Sequence, residues 1–341
     1  MMKIVLERSS ATSCSFLDYD ASEIEDGVTS NCLLGLFGTP IITRNLNILN
    51  SLYEIEKILI PAELKFLAPI ISSSFKFATE EIDRLIHKKL VNTNSVCDDF
   101  NEGVSVNSHS GCKNSLNKNT INLNKKILDL NENTLFLPCD VILESNSSVK
   151  KLKFQRFLHP WNFLEMINNL LKSEIKRTVI SNRSQIAKSA IIDGPCVIDD
   201  GVVIDDFVKI KGPAYIGKGS FIGMGSLVRN SVLEHNTNVG FNCEIGKSYF
   251  AGNAKISHHN VILDSLIGKN VWFGGYSGTA NVLLTRNNVQ YVIDGKLEDT
   301  GKNHFGAVVS NNCSIGASVI ILPGRKIPPN SMIPAGTIYK K

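Results

Sequence analysis

Residue types that could do chemistry are thinly spread along this chain of 341 residues. Its eight cysteines stand singly, without the paired CxxC spacing of zinc or redox sites, so reduced thiols in a cytoplasmic protein are the simplest account. Near the start, Leu6 is followed by Glu7-Arg8-Ser9-Ser10-Ala11-Thr12-Ser13-Cys14. That stretch has no glycine to let the backbone close on a phosphate with its N–H groups. The formal net charge of +4 is weak for this length, with no dense Lys/Arg block and no interleaved aromatics, which argues against nucleic acid as a partner. What remains is concentrated in the second half, where a regular repeat slips and then breaks.

That repeat is a six-residue beat: Ile186, Ile192, Ile198, Ile204, Ile210, Ile216, Ile222 and Val228. A period of six fits neither an amphipathic helix nor one alternating strand. Each unit offers one aliphatic residue, with small residues such as Gly217, Gly219, Gly223 and Gly225 beside it. Stacked coil on coil, three short strands per coil bury a continuous aliphatic column, which predicts a left-handed parallel β-helix of hexapeptide repeats. The beat slips by a residue around Leu233, resumes at Val239 and Ile245, breaks over residues 282–305 and returns at Ile315, Ile321, Ile327 and Ile333. A break inside an array reads as a loop thrown from one corner, where solenoids usually carry function; a solenoid that only scaffolds is the alternative.

The first half changes period. Strands are expected over residues 1–6, 55–60 and 135–143, with helices over 40–51 and 80–90, giving a small α/β sheet. Residues 91–126, rich in Asn, Ser and Lys, read as a mobile surface loop. A helix from about Pro160 to Lys172 leads into the repeats, so the expected organisation is an α/β domain over 1–158, a linker helix in 159–178 and the β-helix over 179–341. No run approaches the roughly 18 apolar residues needed to span a bilayer, and charge arrives too early for a signal peptide, so a cytoplasmic protein with no membrane partner is expected.

The second half resembles the bifunctional sugar-1-phosphate nucleotidyltransferase/acetyltransferases that make UDP-N-acetylglucosamine, particularly their archaeal branch. The resemblance rests on Val239-Gly240-Phe241-Asn242-Cys243-Glu244-Ile245, on Ala254-Lys255-Ile256-Ser257-His258, on Gly278-Thr279-Ala280-Asn281 and on Phe305-Gly306-Ala307 through Leu322-Pro323-Gly324. It implies acetyl transfer from acetyl-CoA, as substrate, to the amine of a glucosamine-1-phosphate-like sugar. His258 would be the general base, a step that suits imidazole because it titrates near neutral pH. Asn281 would orient the amino sugar, with the Val282 N–H facing the oxyanion. Arg229, Lys247 and Glu244 would lie at the sugar phosphate, and Arg286, Lys302 and Ala307 at CoA, with Lys296 beside them. The resemblance also implies a homotrimer whose acyl sites lie between subunits.

Departures from the family pattern are Val261 for a tyrosine, Gly246 for a phosphate-binding lysine and Trp272 for an asparagine. His258 as a structural histidine therefore stays open, and His259 is read as exposed. In the first half, Leu36-Phe37-Gly38-Thr39-Pro40 resembles the family's nucleotidyltransferase turn, and Asp140 falls at its Mg²⁺-binding aspartate. The sugar-binding half of that domain is missing, so a shortened, degenerate nucleotidyltransferase-like domain is expected, with Mg²⁺ needed only if it is active. A non-catalytic binding homologue and a working pyrophosphorylase are the alternatives to the acetyltransferase.

Overall fold

The structure, a computed structural model, describes residues 2–7, 35–52, 55–61, 78–82, 104–106, 120–123, 126–129, 134–138, 141–146, 151–156, 159–293 and 295–340. The chain divides into two compact units between Leu158 and His159, and Gly35–Gly38 is grouped with the second.

The first unit is built on a parallel four-stranded sheet in the order Ala78–Ile82, Ile55–Pro61, Met2–Glu7, Thr134–Pro138. Helix Ile41–Leu52 buries Ile41, Leu46 and Leu49 along one stripe, the spacing a helix needs to cover a sheet. Three expectations change here. Ala78–Ile82 is an edge strand paired with Ile55–Pro61, where a helix over 80–90 was expected; satisfying a sheet edge outweighs the helical preference of Glu80 and Glu81. Residues 83–90 lie outside the described residues. The single strand expected over 135–143 is two strands in different sheets, because Pro138 has no N–H to continue the ladder. Val141–Asn146 instead pairs antiparallel with Lys151–Arg156. Inside the expected loop over 91–126 lie strand Val104–Val106 and a hairpin of Thr120–Leu123 with Lys126–Asp129. The alternating Ile121, Leu123 and Ile127 were a period-two signal that the polar composition masked. Asp140 lies outside the described residues.

The second unit opens with the connecting helix Pro160–Glu174, which has proline in its first turn and Phe163, Leu164, Ile167, Leu170 and Leu171 buried along one face. Behind it runs the left-handed β-helix, three eight-stranded parallel sheets wound coil on coil. The first sheet begins at Val179–Ile180, the second at Gln185–Ile186 and the third at Ile191–Asp193. Turns from first to second, second to third and third to first sheet are called here the first, second and third corners. The six-residue beat is the core: Ile198, Ile204, Ile210, Ile216, Ile222 and Val228 are all buried. Ile186 and Ile192 are only partly covered, since they belong to the end coil.

The slip in the beat has a structural cause. Early coils advance by 18 residues, as in Lys209 opposite Leu227, whereas the three that follow advance by 17, as in Glu244 opposite Val261. The residue is lost each time at the third corner. Buried Ser231, Ser248 and Ser265 stand there; each hydroxyl donates to the carbonyl two residues back and accepts an N–H from the next coil. The next passage of the same corner carries the loop, and the register steps by 42. Slip and break are thus successive events at one corner.

At the first corner Glu234 is buried, and its Oε2 accepts the Gly38 N–H at 2.9 Å while Oε1 has no hydrogen-bond partner among the described residues. Burial raises its pKa to about 7 against the opposing bonds from Gly38 and Phe37 and the charge of Lys269; Asp199 adds to the rise. Phe37 packs against Tyr215, whose hydroxyl donates to Asp199. Burial pushes that phenol upward as well.

Candidate functional site

The outward positions of the third sheet form two columns. Leu227, Glu244, Val261 and Gly278 are in register in one, and Arg229, Gly246 and Leu263 in the other. Arg229 reaches across to Glu244, placing Nε and Nη2 at 2.9 and 2.8 Å from Oε1. Gly246 makes this possible, because a Cβ there would lie 2.8 Å from the Arg229 Cζ. The guanidinium therefore fills the place of any side chain at 246.

His258 sits at the second corner. Its Nδ1 accepts the Phe241 N–H at 3.1 Å, and Gly240 leaves it room, since a Cβ there would stand 3.0 Å from that nitrogen. With Nδ1 accepting, the proton of the neutral ring is assigned to Nε2, so the ring's outer nitrogen is a donor. His259 is half-buried rather than simply exposed: it stacks on Tyr276 at 4.8 Å, meets Phe241 edge-on and shares a hydrogen bond with Asn242. Both His259 and Tyr276 hold positive φ at this corner, where asparagine and glycine are the usual occupants. Phe207, Met224, Phe241 and Tyr276 run as an exposed apolar stripe along the second corner, with Trp272 and Val261 exposed on the flanking sheets.

Asn281 follows Gly278–Thr279 at the third corner, and its Nδ2 donates to Asp264 Oδ2 at 2.6 Å. It lies at the opposite end of the third-sheet strands from His258, about 10 Å or more along the strand direction at the usual rise per residue. One chain thus brings together Arg229 with Glu244, and Asn281 with Asp264 near Lys247, but leaves His258 apart. Val282 begins the loop. Arg286 is exposed in a turn, bonded through its N–H to the Leu283 carbonyl. Lys302 pairs with Glu165 of the connecting helix at 2.9 Å. Lys296 opens the second strand of the hairpin Gln290–Ile293 and Lys296–Asp299. Ala307 is in the core with its N–H given to Ser265 Oγ, so neither its methyl nor its amide faces a ligand. Among the described residues no three His, Cys, Asp or Glu side chains group as a metal site. No helix among them is long and apolar enough to cross a membrane.

Asp264 and Glu165, partners of two predicted residues, were not singled out from sequence. Coil spacing could have found Asp264, which lies 17 residues before Asn281. Glu165 needs the tertiary fold.

The family model for bacterial transferase hexapeptide, six repeats, matches residues 195–230. This half of the chain is a hexapeptide-repeat β-helix. Its C-terminal region is similar to archaeal bifunctional enzymes. The bifunctional protein GlmU of Methanococcus vannielii is 36% identical over 99 residues, which is 29% of this chain and 23% of that one. The bifunctional sugar-1-phosphate nucleotidylyltransferase/acetyltransferase of Sulfurisphaera tokodaii is 30% identical over 98 residues, 29% of this chain and 24% of that one. The chain thus spans about a quarter of the length of the curated relatives it matches. Among solved structures, a UDP-N-acetylglucosamine acyltransferase overlaps 47% of this chain and 70% of its own at 16% identity and a TM-score of 0.23.

Proposed function

We propose that the β-helix is an acetyl-CoA-dependent N-acetyltransferase acting on an amino-sugar 1-phosphate in nucleotide-sugar biosynthesis, assembled as a homotrimer. The observation that carries this reading is the third-sheet face, where Gly246 leaves room for the Arg229 guanidinium fork, which would exchange its Glu244 partner for a phosphate. The names of the matched relatives, which include an acetyltransferase, supply the reaction class. The apolar stripe from Phe207 to Tyr276 supports self-association, since contiguous exposed apolar surface marks interfaces. Such packing is also how a His258 of one copy would meet an Asn281 of another. In the reaction the amine attacks the thioester carbonyl, a C–N bond forms, the C–S bond breaks and the amine proton leaves. For His258 to act as base its ring releases the Phe241 N–H and carries its proton on Nδ1; Nε2 then takes the amine proton and returns it to the departing thiolate. Arg286 and Lys302 meet CoA phosphates, the latter by exchanging Glu165 for the ligand.

One observation favours a second reading, a non-catalytic homologue: the resting tautomer of His258 offers no outward lone pair. Thiol release from acetyl-CoA with glucosamine 1-phosphate separates the two. The acetyltransferase reading expects turnover in the wild-type chain and a loss of at least about 100-fold in His258→Ala. Equal rates in both would overturn it.

A further inference from the structure

The loop thrown from the third corner is held once at its base and again at its hairpin. At the base the Val289 N–H donates to the Lys302 carbonyl at 2.7 Å, the Thr300 hydroxyl to the Val289 carbonyl and the Phe305 N–H to the Asn281 carbonyl. The hairpin is held by ring contacts instead. Tyr291 and Phe305 meet the buried Trp161 ring edge-on, with centroids 5.7 and 6.2 Å away, and His159 stacks on that same ring at 4.5 Å. A two-stranded hairpin is at best marginally stable alone, so the place of Gln290–Ile293 and Lys296–Asp299 depends on this contact with the connecting helix.

His159 brings a titratable group into that stack. It is the N-cap of the connecting helix but makes no side-chain cap, and its Nδ1 is buried with no hydrogen-bond partner among the described residues. The neutral ring tolerates this by keeping Nδ1 as an unused acceptor, with its proton assigned to Nε2. A second proton would put a charged N–H on Nδ1 with nothing to receive it, at the positive end of a helix. Burial accordingly holds the ring below its ordinary pKa of 6.5, and the charge of Glu298 only partly offsets this. Glu298 stands cross-strand from Tyr291 and so shares the hairpin face turned to Trp161, with Lys296 two residues along on the same face. Of the other charged or titratable groups nearby, Glu165 on the helix is paired with Lys302, and His304 is engaged with Asn303.

We propose that His159 is a pH-operated release for the loop: neutral, it completes the ring stack that docks the hairpin on the connecting helix; protonated, it frees the hairpin while the base stays fixed. Docking is at full strength above pH 6.5 and weakens as pH falls below it, because the undocked ring takes up the proton more readily than the docked one. The inference does not depend on acetyl transfer. Hydrogen exchange read by mass spectrometry on the full chain tests it, comparing amides 290–299 at about pH 7.5 and about pH 5.5 after correction for the chemical exchange rate. The wild-type hairpin should exchange at least about threefold faster at the lower pH, while the mid-solenoid strand Glu244–Gly246 does not change. His159→Phe keeps a flat ring for Trp161 and cannot ionise, so its hairpin should exchange alike at both pH values. Glu298→Gln removes the charge that favours the protonated ring in the docked state, so its response should be steeper than that of wild type. A wild-type hairpin indifferent to pH or better protected at the lower pH, an undiminished response in His159→Phe, or a shallower one in Glu298→Gln would each overturn the proposal. If circular dichroism shows that His159→Phe does not fold, the wild-type and Glu298→Gln measurements still decide it.

Discussion

Glu234→Gln should make the chain more stable at pH 8 and leave it nearly unchanged at pH 4.5. In the folded chain the carboxyl is buried and titrates at about 7, well above its ordinary 4.5, so folding favours the protonated form. The stability this group contributes is therefore fully present below pH 4.5 and is lost as pH rises through 7. The gap between those values corresponds to about 3 kcal/mol at most, taken as an order of magnitude for a side chain so deeply buried. Glutamine keeps an oxygen for the Gly38 N–H without needing to ionise, and so removes the pH dependence at this position. The charges around the carboxyl work in opposite directions, Lys269 favouring ionisation and Asp199 opposing it, and do not cancel the desolvation that dominates. Urea unfolding followed by tryptophan fluorescence from pH 4.5 to 8 measures both chains, with Trp161 and Trp272 as reporters in the second unit. The wild-type curve should fall relative to the variant by about 1–3 kcal/mol between pH 5 and 8. Parallel curves, or a variant less stable at pH 8, would show that Glu234 stays ionised in the fold and that its burial is not as described.

Other outcomes follow from the corners of the solenoid. Gly246→Ala places a Cβ 2.8 Å from the Arg229 Cζ and pushes the guanidinium off Glu244. The half-exposed ion pair it breaks is worth at most about 1 kcal/mol, so melting should move little while KM for glucosamine 1-phosphate rises and kcat holds. Ser248→Ala leaves the buried Ser265 N–H and the Gly246 carbonyl without their hydroxyl partner and should cost about 1–3 kcal/mol by denaturant titration. Ser189→Ala, whose lost hydrogen bonds to Asp206 and from the Phe207 N–H are open to solvent, should stay within about 0.5 kcal/mol.

Much of the β-helix is legible because its signal is a repeated physical necessity: each of Ile198 to Val228 must point inward, and only a six-residue step lets it. The slip at Leu233 and the break after Asn281 are visible in sequence as well, but their meeting at one corner is a property of the winding. The first unit is less legible. Glu80 and Glu81 carry a local helical preference that strand pairing overrides, and Pro138 acts through a hydrogen bond it cannot make. At the candidate site, residue types at positions 229, 244, 258 and 281 can be read from the chain. The hydrogen bond that fixes the His258 tautomer, the Asp264 that holds Asn281 and the Glu165 that holds Lys302 cannot, since each joins positions brought together only by coiling or by helix packing.

The long excursion at the third corner leaves no trace in the stacking around it. Gly278 pairs with Ile320 and Leu266 with Val308 just as neighbouring coils pair elsewhere, so the coil beyond the loop rests on the one before it as though the chain had turned directly. The strand register is therefore independent of the loop's length, although the loop buries Val289, Tyr291 and Phe305 and sets the last two against Trp161 of the connecting helix. Its exposed positions, Leu284 and Leu297 among them, can change without shifting any strand out of register. New binding specificity can arise there while the column of isoleucines, and whatever assembly it supports, is inherited unchanged.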